Sequence, residues 1–179
     1  MTVPAGFTPE QWQLVARLPV EVAAAATVAE PSHESGSTRE LLAALSTLLS
    51  GVKLLRHNEL VQAVFDDYKE DGRGEAAILN LSQDPPPNLP ERALANVRQA
   101  VETLAARSDQ DEAEEFKLWL RGIAADIVAS SSSGGFLGIG GTPVTDAEES
   151  FLDRLTAPLG LELAYQTDEA GEEQAQADD

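Results

Sequence analysis

Two stretches of this chain are spelled alike, and the same kind of segment follows each. Residues 22–30 (VAAAATVAE) align with residues 122–130 (GIAADIVAS), with identities at Ala24/Ala124, Ala25/Ala125, Val28/Val128 and Ala29/Ala129. Each leads through a loop into leucines at matching intervals, Leu42-Leu45-Leu49 in the first copy and Leu152-Leu155-Leu159 in the second. Small apolar residues at this density suit helices packed closely against other helices. A recurring helix pair predicts an all-α protein: a single bundle of six or seven helices with an internal pseudo-two-fold repeat.

Composition narrows the core and the partners. Aromatic residues make up only 5% of the 179 residues, so the interior is built from Leu, Val, Ile and Ala. There is no cysteine, which excludes disulfides, thiolate metal sites and cysteine nucleophiles. Thirty-one acidic residues against twelve basic ones give a net charge of -19. Such a field repels phosphate backbones and anionic lipid, so nucleic acid and membrane adsorption are disfavoured. It attracts divalent cations or a basic partner, or it serves solubility alone. The domain is expected over residues 1–165, followed by a disordered acidic tail over 166–179. The longest apolar stretch, Leu18 to Ala29, is interrupted by Glu21 and falls short of the ~20 residues a membrane span needs. The start MTVPAGFTPEQWQ lacks the basic and apolar regions of a secretory signal, so the expected location is cytoplasmic.

The local signals place the helices. Thr8 with Gln11 forms a capping box, Pro9 takes the first helical position, and Phe7 can staple against Trp12. Pro19 predicts a kink or break, because it removes one backbone bond. Beyond it, Val20 to Ala29 is apolar nearly all round, the mark of a helix enclosed by others. Ser37 with Glu40 is a capping-box pattern for a second helix, and Asn58 caps a third with a core face of Leu60, Val61, Val64, Phe65 and Tyr68. Residues 71–88 are irregular and end in three prolines. A fourth helix is expected from about Leu89 to Arg107, with a seam of Leu94, Val97, Val101 and Leu104. Ser108 is expected to cap a fifth, facing inward through Phe116, Leu120, Ile123 and Ile127. Thr145 with Glu148 opens the last helix, which Pro158 and Gly160 end.

This arrangement resembles the TerB-like family, helical domains related to the tellurite-resistance protein TerB. The likeness rests on Ile123-Ala124-Ala125 through Val128-Ala129, then Val144-Thr145-Asp146-Ala147-Glu148, then Leu152, Leu155 and Leu159-Gly160-Leu161. Residues 22–29 with 37–49 follow the same theme more loosely, and with the connecting helices it could span residues 7–161. The resemblance implies an all-helical fold, a stress-response or envelope-associated setting, and divalent-cation binding linked to acidic turns. This chain departs from the family there: residues 130–144 carry no carboxylate, and the first turn offers Glu30, His33 and Glu34 without an Asp-Gly.

Two places stand out as candidate sites. The first is the glycine loop, where Gly134, Gly135, Gly138, Gly140 and Gly141 surround Phe136, Leu137 and Ile139. Either these apolar residues are displayed to a protein partner, or they fold back and plug the bundle. No Gly-Lys-Ser/Thr follows, so it is not a Walker loop. The second is Glu30, His33 and Glu34, a candidate metal set of oxygen and nitrogen ligands. Residues 67–78 fail as a calcium loop, since Lys69 and Ile78 occupy the third and twelfth positions. Asp126, a carboxylate on an apolar helix, is expected to be partly buried. His33 and His57 are the only imidazoles, and no nucleophile–base pairing is visible. The leading expectation is a non-enzymatic interaction module with no resident cofactor and a protein partner. The alternatives are a divalent-cation-binding protein and a small helical enzyme.

Overall fold

The computed structural model describes residues 4–29, 50–69, 86–132 and 146–161. They form α1 (Pro9–Thr27), α2 (Glu59–Lys69), α3 (Leu89–Arg107), α4 (Gln110–Ser132) and α5 (Asp146–Leu159), with a helical segment over 50–54 before α2. No strand occurs among the described residues. The all-α bundle is therefore observed, and no described helix is long and apolar enough to cross a membrane.

α1 is the axis of the bundle: it packs against α2, α3, α4 and α5. That position explains its composition. Residues 20–26 are buried without interruption, and alanine lets the neighbouring backbones approach on every side. α3 and α4 flank α1, and α5 closes against both. The core aromatics are Trp12, Phe116, Phe151 and Trp119, all buried.

The start of α1 follows its sequence signals. The Gln11 N–H donates to the Thr8 hydroxyl at 3.3 Å, and the Thr8 N–H donates to Gln11 Oε1 at 3.0 Å. Phe7 and Trp12 meet edge to face with centroids 5.8 Å apart. The expected break at Pro19 does not occur: the helix continues through it to Thr27. The Tyr68 hydroxyl braces this turn. It donates to the Ala16 carbonyl at 2.5 Å.

Two further boundaries differ from the expected ones. Ser108 does not cap α4; it ends α3, its N–H donating to the Leu104 carbonyl at 2.9 Å. Asp109 takes the capping role, its Oδ1 accepting from the Asp111 N–H at 3.0 Å. The carboxylate reaches the free amides at this helix start, and Ser108 Oγ is buried without a partner among the described residues. α4 also extends through residue 132, into what reads as the start of the glycine loop. α5 passes through Pro158 and ends in a Schellman turn. There Gly160 has φ +71°, the Gly160 N–H donates to Ala157 at 3.0 Å, and the Leu161 N–H donates to Thr156 at 3.3 Å.

Candidate functional site

The glycine-loop residues 134–141 and the candidate ligands Glu30, His33 and Glu34 all lie outside the described residues. Asp126 is described, and it is exposed rather than partly buried. It falls on the outer side of α4, opposite the buried positions Ile123, Ala124 and Ile127.

What the fold assembles instead is a polar junction beside an open cleft. Asn58 is fully buried between segment 50–54 and α2. Its Oδ1 accepts from the Val61 N–H at 2.9 Å, capping α2 as its sequence position implies. Its Nδ2 donates to the Glu112 carbonyl at 3.0 Å and to Glu115 Oε2 at 2.8 Å. The Glu59 N–H donates to Glu112 Oε1 at 2.7 Å, and His57 Nε2 lies 2.8 Å from Glu115 Oε1. These bonds stitch the start of α2 to the first turns of α4. Hydrogen bonds from Asn58 and His57 hold the Glu115 carboxyl below the usual carboxylate range.

The cleft opens on the outer side of this junction, with a volume of about 560 Å³. Residues 4–7 form one wall. Gly6 turns there with φ +97°, and a methyl group added to it would lie 3.6 Å from the Arg107 carbonyl oxygen. α2 forms the second wall, and the α3–α4 corner forms the third. Phe7, Leu60 and Ala63 give the cleft an apolar floor. Glu59, Asp66, Asp67, Asp109 and Glu112 supply carboxylates around it, against the single guanidinium of Arg107. Asp66 lies 3.4 Å from Lys69 Nζ on its own helix. Among the described residues, no three acidic or histidine side chains converge as a metal's ligands would. The charge lines the cleft instead of focusing on a point.

A second polar group sits on the far side of α1. Glu21 is 3% exposed amid the alanines. Asn96 Nδ2 donates to its two oxygens at 2.8 and 2.9 Å, Arg92 Nε lies at 3.2 Å and Arg17 Nε at 3.4 Å. Among the described residues, every polar contact to this carboxylate comes from α3 or from one turn earlier on α1. It locks two helices together and faces no described cavity.

Sequence reading missed both features. Arg17 and Glu21 stand four residues apart, as do Arg92 and Asn96, and that spacing was the only local hint of the clamp. The cleft had no such signal, because its three walls come from separate parts of the chain. Comparison with family models, with curated proteins and with solved structures gives no match to this chain.

Proposed function

We propose that this chain is a non-enzymatic interaction module that binds a protein partner through the cleft between residues 4–7, α2 and the α3–α4 corner. One observation carries the reading: a cleft brings the part-exposed side chains of Phe7 and Ala63 together with five carboxylates. Exposed apolar surface framed by polar groups is the usual form of a recognition site. The walls are also firm. The Asn58 and Glu112 bonds fix α2 against α4, so little ordering is needed on binding.

The resemblance to TerB-like domains supplies the proposed setting, a cytoplasmic stress-response or envelope-associated system. The internal repeat of residues 22–30 and 122–130 supplies the proposed pseudo-two-fold. In support, Ala24 and Ala124 are equivalent in the repeat and both buried, at 3% and 0% exposure. The other equivalent pairs are buried to different degrees, Ala25 more than Ala125 and Val28 less than Val128.

The test is a photo-cross-linking residue at Ala63, in the cleft, with the same residue at exposed Ala95 on α3 as control. The reading expects a partner captured at Ala63 alone, which then rebinds when both proteins are purified. Equal capture at both positions, or none at either, would contradict it.

A further inference from the structure

We infer that the occupant of the cleft is a cationic amphipathic segment: a stretch of chain with lysine or arginine flanking an apolar side chain. This rests on the cleft being an interaction site, and it names the chemistry of the partner.

The argument is charge complementarity joined to shape. Five carboxylates and one guanidinium line the cleft, around the contiguous floor of Phe7, Leu60 and Ala63. An acidic or neutral segment would bring like charge, or no compensation, against five carboxylates. A single divalent ion would need ligands drawn to one point, and the carboxylates are spread over three walls. A purely hydrophilic polycation would leave the apolar floor wet. A segment carrying both features fills the floor and meets the rim.

The carboxylates are also held where they are needed. Glu112 is fixed by the Glu59 N–H and Asp109 by the Asp111 N–H, so each stays at the cleft wall. Rim charges of this kind raise the association rate and make binding sensitive to salt.

The experiment uses the full chain and a short fluorescent peptide of alternating lysine and leucine, followed by anisotropy. Two analogues isolate the contributions: lysine alternating with serine, and serine alternating with leucine. Glu59→Gln with Asp66→Asn should weaken binding of the lysine–leucine peptide by about tenfold. Glu102→Gln with Asp153→Asn removes the same charge from exposed positions elsewhere and should change it less than about twofold. Both analogues should bind more weakly than the parent peptide. Circular dichroism of each variant confirms that the helices are retained. Equal losses in the two double variants would show only a general field and overturn the inference, as would a lysine–serine analogue that binds as well as the parent. A partner captured at Ala63 through an acidic or uncharged segment would overturn this assignment and leave the interaction-module reading standing.

Discussion

The hydroxyl of Tyr68 lies 2.5 Å from the carbonyl oxygen of Ala16, three residues before Pro19 in α1. A proline in mid-helix withdraws one N–H and crowds the preceding turn, which costs about 3 kcal/mol in a regular helix. Here a side chain from α2 donates to a carbonyl on the turn before the proline, that of Ala16. The most buried helix of the fold is thereby tied to its neighbour beside the proline.

Tyr68→Phe removes this brace and leaves the ring. The expected loss is about 0.5–1.5 kcal/mol, because one hydrogen bond to the backbone is removed. Urea denaturation would measure it, and an unchanged midpoint would show that the brace is dispensable. Burial also pushes the Tyr68 hydroxyl well above the ordinary tyrosine range. Its contribution is complete below the ordinary value of about 10 and is lost as pH rises toward the raised one. The alkaline absorbance titration of the wild type minus that of Tyr68→Phe should therefore show no ionisation near pH ~10.

The Glu21 clamp predicts an asymmetry. Asn96→Ala leaves a buried carboxylate short of its nearest donor and should cost about 1–3 kcal/mol. Glu21→Leu removes the charge and fills the space, and should stay within about 1 kcal/mol of the wild type. Equal and large losses in both variants would show that the pair contributes net stability and not only helix register.

Gly51 lies against the indole of Trp119 so closely that a β-carbon there would overlap the ring. A helical glycine replaced by alanine ordinarily gains about 0.5–1 kcal/mol. At this position the sign should reverse, with a loss of about 1–3 kcal/mol from overpacking. Trp119→Phe in the same chain should recover part of it, since the smaller ring makes room. That exchange also removes a buried indole N–H that has no partner among the described residues.

Glu115 gives an acid-side prediction. Its carboxyl is held below the usual carboxylate range, so its contribution is fully present above that range. The contribution is lost as pH falls through the lower folded value. The melting-temperature difference between wild type and Glu115→Gln should shrink as pH drops from about 5 to about 3. A difference that stays constant over that window would mean that Asn58 and His57 do not distinguish the carboxylate from the amide.

What the sequence made legible is local. The Thr8–Gln11 box, the Asn58 cap and the inward face of Phe116, Leu120, Ile123 and Ile127 all follow from spacing within a few residues. What it hid is long-range. Arg92 and Asn96 reach Glu21 across 71 and 75 residues. Asn58 reaches Glu115 across 57, and Tyr68 reaches Ala16 across 52. Pro19 misled for a related reason: the local rule is sound, but packing of this helix against four others outweighs it. Ser108 misled because Asp109, one position later, is as good a cap, and the preceding helix holds Ser108 as its own end. The cleft belongs to the same class, with Phe7, Leu60 and Arg107 meeting only once the helices are packed.

The most direct measurement is a titration of the isotope-labelled chain with the lysine–leucine peptide, read from its backbone amide resonances. Binding in the cleft predicts saturable shifts concentrated at residues 4–7, 59–67 and 107–112, with exposed acids such as Glu102 and Asp153 unmoved. Shifts spread evenly over the acidic surface, or gathered away from those three segments, would contradict it.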